Sequence, residues 1–209
     1  MWPTMTEESA HTRILDAAEQ AFADAGLAGA RVAAIAEQAG VNKAMLYYYF
    51  DSKDALYQAV LERVFDQILQ MATEVGQDGE GPIQATLERF LAGYRQILVA
   101  HPAFVRLMIR GALDGGRDVI PIARPRFEQI LSLISGMISR GQAEGVLNDQ
   151  AVAPLVPPML VATMVFFAVA KPLLTEVTGL PPETLDALWQ RNSMEIVMNG
   201  LLARNGEDE

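Results

Sequence analysis

The chain has no cysteine, only two histidines and only two tryptophans in 209 residues. Without a thiol it has no disulfide framework, no thiolate zinc site and no cysteine nucleophile. The two histidines, His11 and His101, stand far apart in sequence and form no paired-histidine metal motif, so neither a metal nor a cofactor is expected. His11 reads as a solvated flank and His101 as a helix-end residue. There is no phosphate-cradling glycine loop of the required spacing, and none of the few serines sits in a nucleophile elbow. No catalytic residue is therefore assigned. Cations are also scarce, 16 Lys and Arg against 26 Asp and Glu, for a formal charge of −10. The acidic opening, Met1 to Glu8, carries no apolar run that would serve as a secretory signal, so a cytoplasmic protein is expected.

What is present is helical periodicity from one end to the other, with no alternating strand pattern. Between Ala30 and Ala39, Val32, Ile35, Ala36 and Ala39 recur at spacings of three and four, the stripe of a short amphipathic helix. Gly40 follows, where a left-handed backbone costs least for a residue without a Cβ. Asn42 then fits the N-cap of a second short helix, in which Leu46 and Phe50 turn inward at i and i+4. Lys43, Ala44, Met45, Tyr47, Tyr48 and Tyr49 are left on the outer face. Two short helices around a glycine turn, the second crowded with aromatic and amide groups, form a helix-turn-helix whose outer face suits phosphates and base edges. Upstream, Thr12 to Phe22 describes an amphipathic helix ending at Gly26. Downstream, Ser52 caps another that begins near Asp54.

From Thr12 to Leu61 this pattern resembles the tetracycline-repressor (TetR) family of bacterial transcription regulators. The resemblance implies DNA-backbone contacts from Tyr47, Tyr48 and Lys53, with Asn42, Lys43, Ala44, Met45 and Tyr49 near the groove. The chain departs from the family at three points. Ala30 stands where members often carry a hydroxyl at the start of the second helix, leaving Gly29 as a weak cap, and Ala44 and Met45 replace the usual glycine and small polar residue. A thioether donates no hydrogen bond, so Met45 suits a thymine methyl better than a guanine edge.

The fold class expected is all-α, with a three-helix DNA-binding domain over 1–53 and a larger helical effector-binding and dimerisation domain over 54–209. Helices are read from Asp54 to Val75, Ile83 to Ala100, Ala103 to Leu113 and Ile122 to Glu144, broken by the glycine-rich Gly76–Pro82, by His101-Pro102 and by Asp114–Asp118. Ala151 to Ala170 contains no charge. Pro154, Pro157 and Pro158 break its first third and Lys171-Pro172 closes it, so the unbroken part is shorter than the roughly 20 residues of a membrane span. A helix apolar on every face is expected to be deeply buried, against its own body on one side and a second surface on the other. With a final helix from Pro182 to Ala203, striped by Leu185, Leu188, Trp189, Met194, Ile196, Val197, Leu201 and Leu202, it makes a face suited to a second copy of the chain.

The family resemblance implies that these last two helices form a four-helix homodimer interface, that the partner is double-stranded DNA, and that a small-molecule effector binds among the middle helices. The aromatic and thioether groups there are Phe90, Tyr94, Phe104, Met108, Phe127, Ile130, Ile134, Met137, Phe166 and Phe167. Arg110, one turn from Arg106, would meet an effector carboxylate, although such arginines also serve as surface groups or partners of internal acids. No membrane partner is expected. The function implied is a DNA-binding regulator that occupies a palindromic operator as a homodimer, represses, and is released by an apolar or amphipathic effector.

Overall fold

The structure is a computed structural model that describes residues 7–77 and 81–202; the side chains of residues 7–9, Met194, Val197 and Met198 lie outside that description. The expected loop positions Asp78, Gly79 and Glu80, the helix-end position Ala203, and the stripe positions Met194 and Val197 therefore fall outside it. Among the described residues the fold is all-α, with one isolated bridge between Leu147 and Leu202. The helices are α1 (Glu7–Gly29), α2 (Val32–Gln38), α3 (Lys43–Tyr49), α4 (Lys53–Gln77), α5 (Ile83–Ala100), α6 (Pro102–Leu113), α7 (Ile120–Ala143), α8 (Val156–Thr178) and α9 (Pro182–Leu201), with a short 3-10 turn at Ala153–Leu155.

Two compact units divide the chain, one comprising Met1–Gln67 and Ile97–Phe127, the other Ile68–Gln96 and Glu128–Glu209. In the first, Ile14, Phe22, Ile35, Leu46, Leu56, Val60 and Leu107 are fully or almost fully buried. Phe22 meets Tyr57 edge to face at 5.0 Å, and Phe65 meets Phe104 in the same way at 5.3 Å. In the second unit the buried set includes Ile83, Leu87, Phe90, Ile134, Ile138 and Leu147.

Three helix ends differ from the sequence expectation. Gly26 does not end α1. It kinks the helix at φ 70°, ψ 174°, and a further short helical segment continues to Gly29. The second helix starts at Val32 with Arg31 at its N-cap, because Ala30 is buried and its N–H still donates to Gly26 O at 3.1 Å, so it belongs to the end of α1. Neither Gly29 nor Ala30 opens α2. Pro172 does not stop α8, which runs on to a left-handed Gly179. A proline inside a helix removes one hydrogen bond and strains the turn before it without forcing the chain to leave the axis.

In the single chain α8 is covered on one side only. Val156, Pro157 and Leu160 are buried, whereas Met159, Phe166, Val169, Leu173 and Val177 are exposed. Their spacings of seven, three, four and four place them on one stripe. By length and composition this helix suffices to cross a membrane, which overturns the expectation that its unbroken part is too short. It packs on α9, where Phe167 stacks on Trp189 at 4.5 Å and Lys171 Nζ donates to Asp186 at 2.6 Å.

Candidate nucleic-acid interface

The site is assembled from backbone geometry first. Gly40 sits at φ 66°, the left-handed conformation the turn requires. Its N–H donates to Glu37 O at 3.0 Å, and that of Val41 to Ala36 O at 2.9 Å, which closes α2. Asn42 is the N-cap of α3: its side-chain oxygen accepts from Met45 N at 2.8 Å. Leu46 is fully buried and Phe50 nearly so, which fixes the rotation of α3 about its axis. Asn42, Lys43, Ala44, Met45, Tyr47 and Tyr48 are consequently exposed together, Tyr48 at 74%. A tyrosine so exposed gains nothing from the core and stands ready for a partner.

Tyr49 differs from its neighbours. It is half-buried, three residues from Leu46 and so on the edge of the inward face, with its ring 5.6 Å from His11 and 5.2 Å from Tyr48. His11 is not a solvated flank: it stacks on Phe50 at 5.2 Å. His101 does stand at a helix end, as the N-cap of α6 without a side-chain capping bond.

Ser52 caps α4 by accepting from Ala55 N at 3.0 Å. Lys53 follows it, and its ammonium is engaged: Nζ donates to Ala28 O at 3.2 Å and to Ala30 O at 3.4 Å. An ammonium has three donors, so one remains for a phosphate. Arg13 Nε donates to Ala39 O at 2.9 Å, across the end of α2. Arg63 donates to Asp16 and to Glu19, both at 2.6 Å. Of the cations between residues 1 and 67, this leaves Arg31 and Lys43, both exposed, without an ion pair or side-chain hydrogen bond to any described residue. Arg31 was not among the sequence candidates, since what marks it is the engagement of the other cations.

A part-buried polar cluster joins α1, α4 and the start of α6. Glu19 is 5% exposed, and one of its oxygens takes Arg63 Nη2 at 2.6 Å and faces His101 Nδ1 at 3.1 Å, while His101 Nε2 lies 3.1 Å from Gln67 Oε1. Burial alone pushes the Glu19 carboxyl upward. The hydrogen bonds and charges of His101 and Arg63 more than offset this and leave it below the ordinary carboxylate value.

The candidate effector residues fall into both units. Phe104 is buried against Phe65, Met108 is half-buried, Phe127 is 42% exposed, and the exposed Arg110 donates to backbone carbonyls of α1; all four belong to the first unit. In the second unit Phe90, Tyr94, Ile130, Ile134 and Met137 are buried, Phe90 and Tyr94 stacking at 6.1 Å, while Phe166 is exposed on the α8 stripe and Phe167 lies against Trp189. Burial raises the Tyr94 phenol, holding it neutral. A half-open cleft of about 530 Å³ in this unit is lined by Gln142, Asn148, Asp149, Gln150 and Asn199 among others, and by none of the expected effector residues.

Residues 14–60 match the family model described as bacterial regulatory proteins, tetR family. The chain is 32% identical over 170 residues to the HTH-type transcriptional repressor SCO4008 of Streptomyces coelicolor, covering 81% of this chain and 83% of that protein. Among solved structures, the HlyIIR mutant carrying a linker superposes with a TM-score of 0.75 at 17% identity, over 96% of this chain and all of that one. The FadR regulator of Bacillus subtilis in complex with stearoyl-CoA gives 0.70 at 16%, over 90% and 98% of the two chains. At those identities the structural likeness shows the fold.

Proposed function

The chain belongs to the TetR family of DNA-binding transcriptional regulators and is not an enzyme, and on that premise we propose that it represses from a palindromic operator, which it binds as a homodimer and leaves when a small apolar or amphipathic effector binds. The observation that carries this reading is the outward face of α3, where Lys43, Ala44, Met45, Tyr47 and Tyr48 are exposed on a helix whose rotation is fixed by Leu46 and the Asn42 cap. In a major groove the N-terminal half of α3 brings Asn42, Lys43 and Ala44 near the base edges and the Met45 thioether to a thymine methyl. Tyr47, Tyr48, the third hydrogen of Lys53 and the guanidinium of Arg31 fall to the backbone on either side, with Tyr49 at the edge. We assign residues 1–53 to the reading head and 54–209 to effector binding and dimerisation.

A single α3 reads a few base pairs. Two copies related by a twofold axis read two half-sites about 34 Å apart, or a multiple of it, and the sequence that satisfies both is a palindrome. The exposed apolar stripe of α8, Met159 to Val177, supports pairing through α8 and α9. The effector is assigned to the interior of the second unit around Phe90, Tyr94, Ile130, Ile134 and Met137, where a neutral phenol among apolar groups suits an amphipathic molecule. The FadR neighbour is a family-fold protein solved with an acyl-CoA, which fits an apolar effector class. A cytoplasmic location follows from a partner that is DNA.

The test is a selection of duplexes from a random pool by the purified protein, followed by binding of the selected duplex to Tyr48→Ala and Lys53→Ala. Recovery of a palindrome, with both variants remaining folded dimers that bind it poorly, is the expected result. Recovery of no enriched duplex refutes the reading.

A further inference from the structure

Arg110 was a candidate for an effector carboxylate, yet its guanidinium lies against the main chain of α1. Nη2 donates to Asp24 O at 2.8 Å and Nε to Ala23 O at 3.3 Å. These are carbonyls of the last turn before α1 kinks at Gly26, where the chain turns away and leaves helix-end acceptors short of i+4 donors. A guanidinium at such an end satisfies the orphan carbonyls and opposes the negative pole of the helix. Arg106, one turn earlier on α6, donates to Gln20 Oε1 at 3.2 Å and lies 3.7 Å from Asp24 Oδ1. Gly26 completes the fit: a Cβ there would meet Arg110 Cδ at 3.3 Å, besides being strained at φ 70°.

The main chain leaving this kink runs directly into the reading head. Ala30 N–H closes on Gly26 O, Lys53 holds Ala28 O and Ala30 O from the start of α4, and Arg31 opens α2 one residue later. The entry to α2 is thus fixed from two sides, by Lys53 from α4 and by Arg110 from α6.

We infer that Arg110 is a positioning residue for DNA binding: it ties α6 to the carbonyl end of α1 at the Gly26 kink, so that the pitch of α2 and α3 follows the position of α6. This rests on the reading of α3 as the DNA-contacting helix. The clamp makes α6 a second route, besides α4, by which a change in the body reaches the head. It commits two of the five guanidinium hydrogens of Arg110 to the main chain of α1.

Two measurements on the full-length protein test it. The first is amide hydrogen exchange, which needs no DNA. In Arg110→Met, exchange at Ala30 should rise by about tenfold while Gly40 and Val41, in the α2–α3 turn, keep wild-type rates. A merely structural role would raise exchange throughout the unit together. Arg110→Lys keeps the charge but cannot span two carbonyls, and should restore protection only in part. The second is affinity for a duplex selected by the wild-type protein, where Arg110→Met should bind about tenfold more weakly at a temperature at which it is fully folded. Unchanged exchange at Ala30, a uniform rise across the unit, or wild-type affinity in Arg110→Met overturns the inference. Failure of the wild-type protein to select any duplex overturns instead the DNA-binding reading on which it rests.

Discussion

Replacing Phe166 by Ala should split the dimer without harming the protomer. Phe166 is 64% exposed in the single chain, in the middle of the α8 stripe, so its ring contributes little to the fold of one copy. Full burial of a phenylalanine side chain is worth about 1.5–3 kcal/mol, and about two thirds of that, some 1–2 kcal/mol, is still available to a partner. A twofold interface counts the residue twice, giving about 2–4 kcal/mol per dimer, or a rise of about 30- to 1,000-fold in the dimer dissociation constant. Sedimentation equilibrium over a concentration series measures this directly. Leu160→Ala is the internal control, because Leu160 is 4% exposed on the same helix and its loss should lower the thermal midpoint instead. A Phe166→Ala dissociation constant within about twofold of wild type would refute the area argument. A wild-type protein that stays monomeric and partitions into lipid vesicles would assign the stripe to a membrane.

Further outcomes follow from the charged groups. Arg31→Gln should lower the slope of log affinity against log salt by about 0.9 per phosphate contact, about 1.8 for a twofold dimer, and Arg31→Lys should restore it; an unchanged slope in a salt titration removes Arg31 from the interface. Glu19 has its folded carboxyl below the unfolded value, so its contribution is present above about pH 4.5 and is lost as pH falls through the folded value. Urea unfolding from pH 6 downward should show that loss in the wild type. It should be flatter in Glu19→Gln, which is less stable at neutral pH by about 1–3 kcal/mol. Tyr57 is pushed up to about 12 by burial first and then by Asp118 and Asp114. The unfolded chain therefore releases this proton first, and stability falls as pH rises from about 10 to 12. Tyr57→Phe should abolish that part of the alkaline loss, as read by the same unfolding series.

The reading head was legible in sequence because its determinants are local. Asn42 caps a helix beginning one residue later, Gly40 supplies a left-handed turn, and Leu46 and Phe50 orient seven residues of α3. What was not legible depends on distant partners. Arg31 matters because Lys53 is engaged with Ala30 O, 23 residues away, and Arg13 with Ala39 O, 26 away. The hold of Arg110 on α1 was not legible either, because its acceptors are carbonyls 86 and 87 residues earlier. In α8 the periodicity itself failed. A helix apolar on all sides has no polar face from which to infer which stripe is covered, and Pro172 marked a stop that the chain passes through.

The net charge of −10 bears on the proposed pairing of two copies. A chain of this sign gains no long-range steering toward phosphate, so its hold on DNA must come from groups that act at contact distance. Three carboxylates of α1 are held in ion pairs, Asp16 and Glu19 sharing Arg63 and Asp24 facing Arg106, whereas Glu37 and Asp51 beside α3 are exposed. What the first 67 residues then offer is short: two cations unpaired among the described residues, one remaining ammonium hydrogen, exposed tyrosines and the start of α3. Contacts so few carry modest affinity and a shallow salt dependence for one head, and short-range terms add when a second head is held rigidly at the next half-site. On the proposed reading, the exposed stripe on α8 and the sparing use of cations at α2 and α3 are two parts of one requirement. On the same reading, a head weak enough to need a twin is also one that a small change of pitch, passed through α1 from α6, would dislodge.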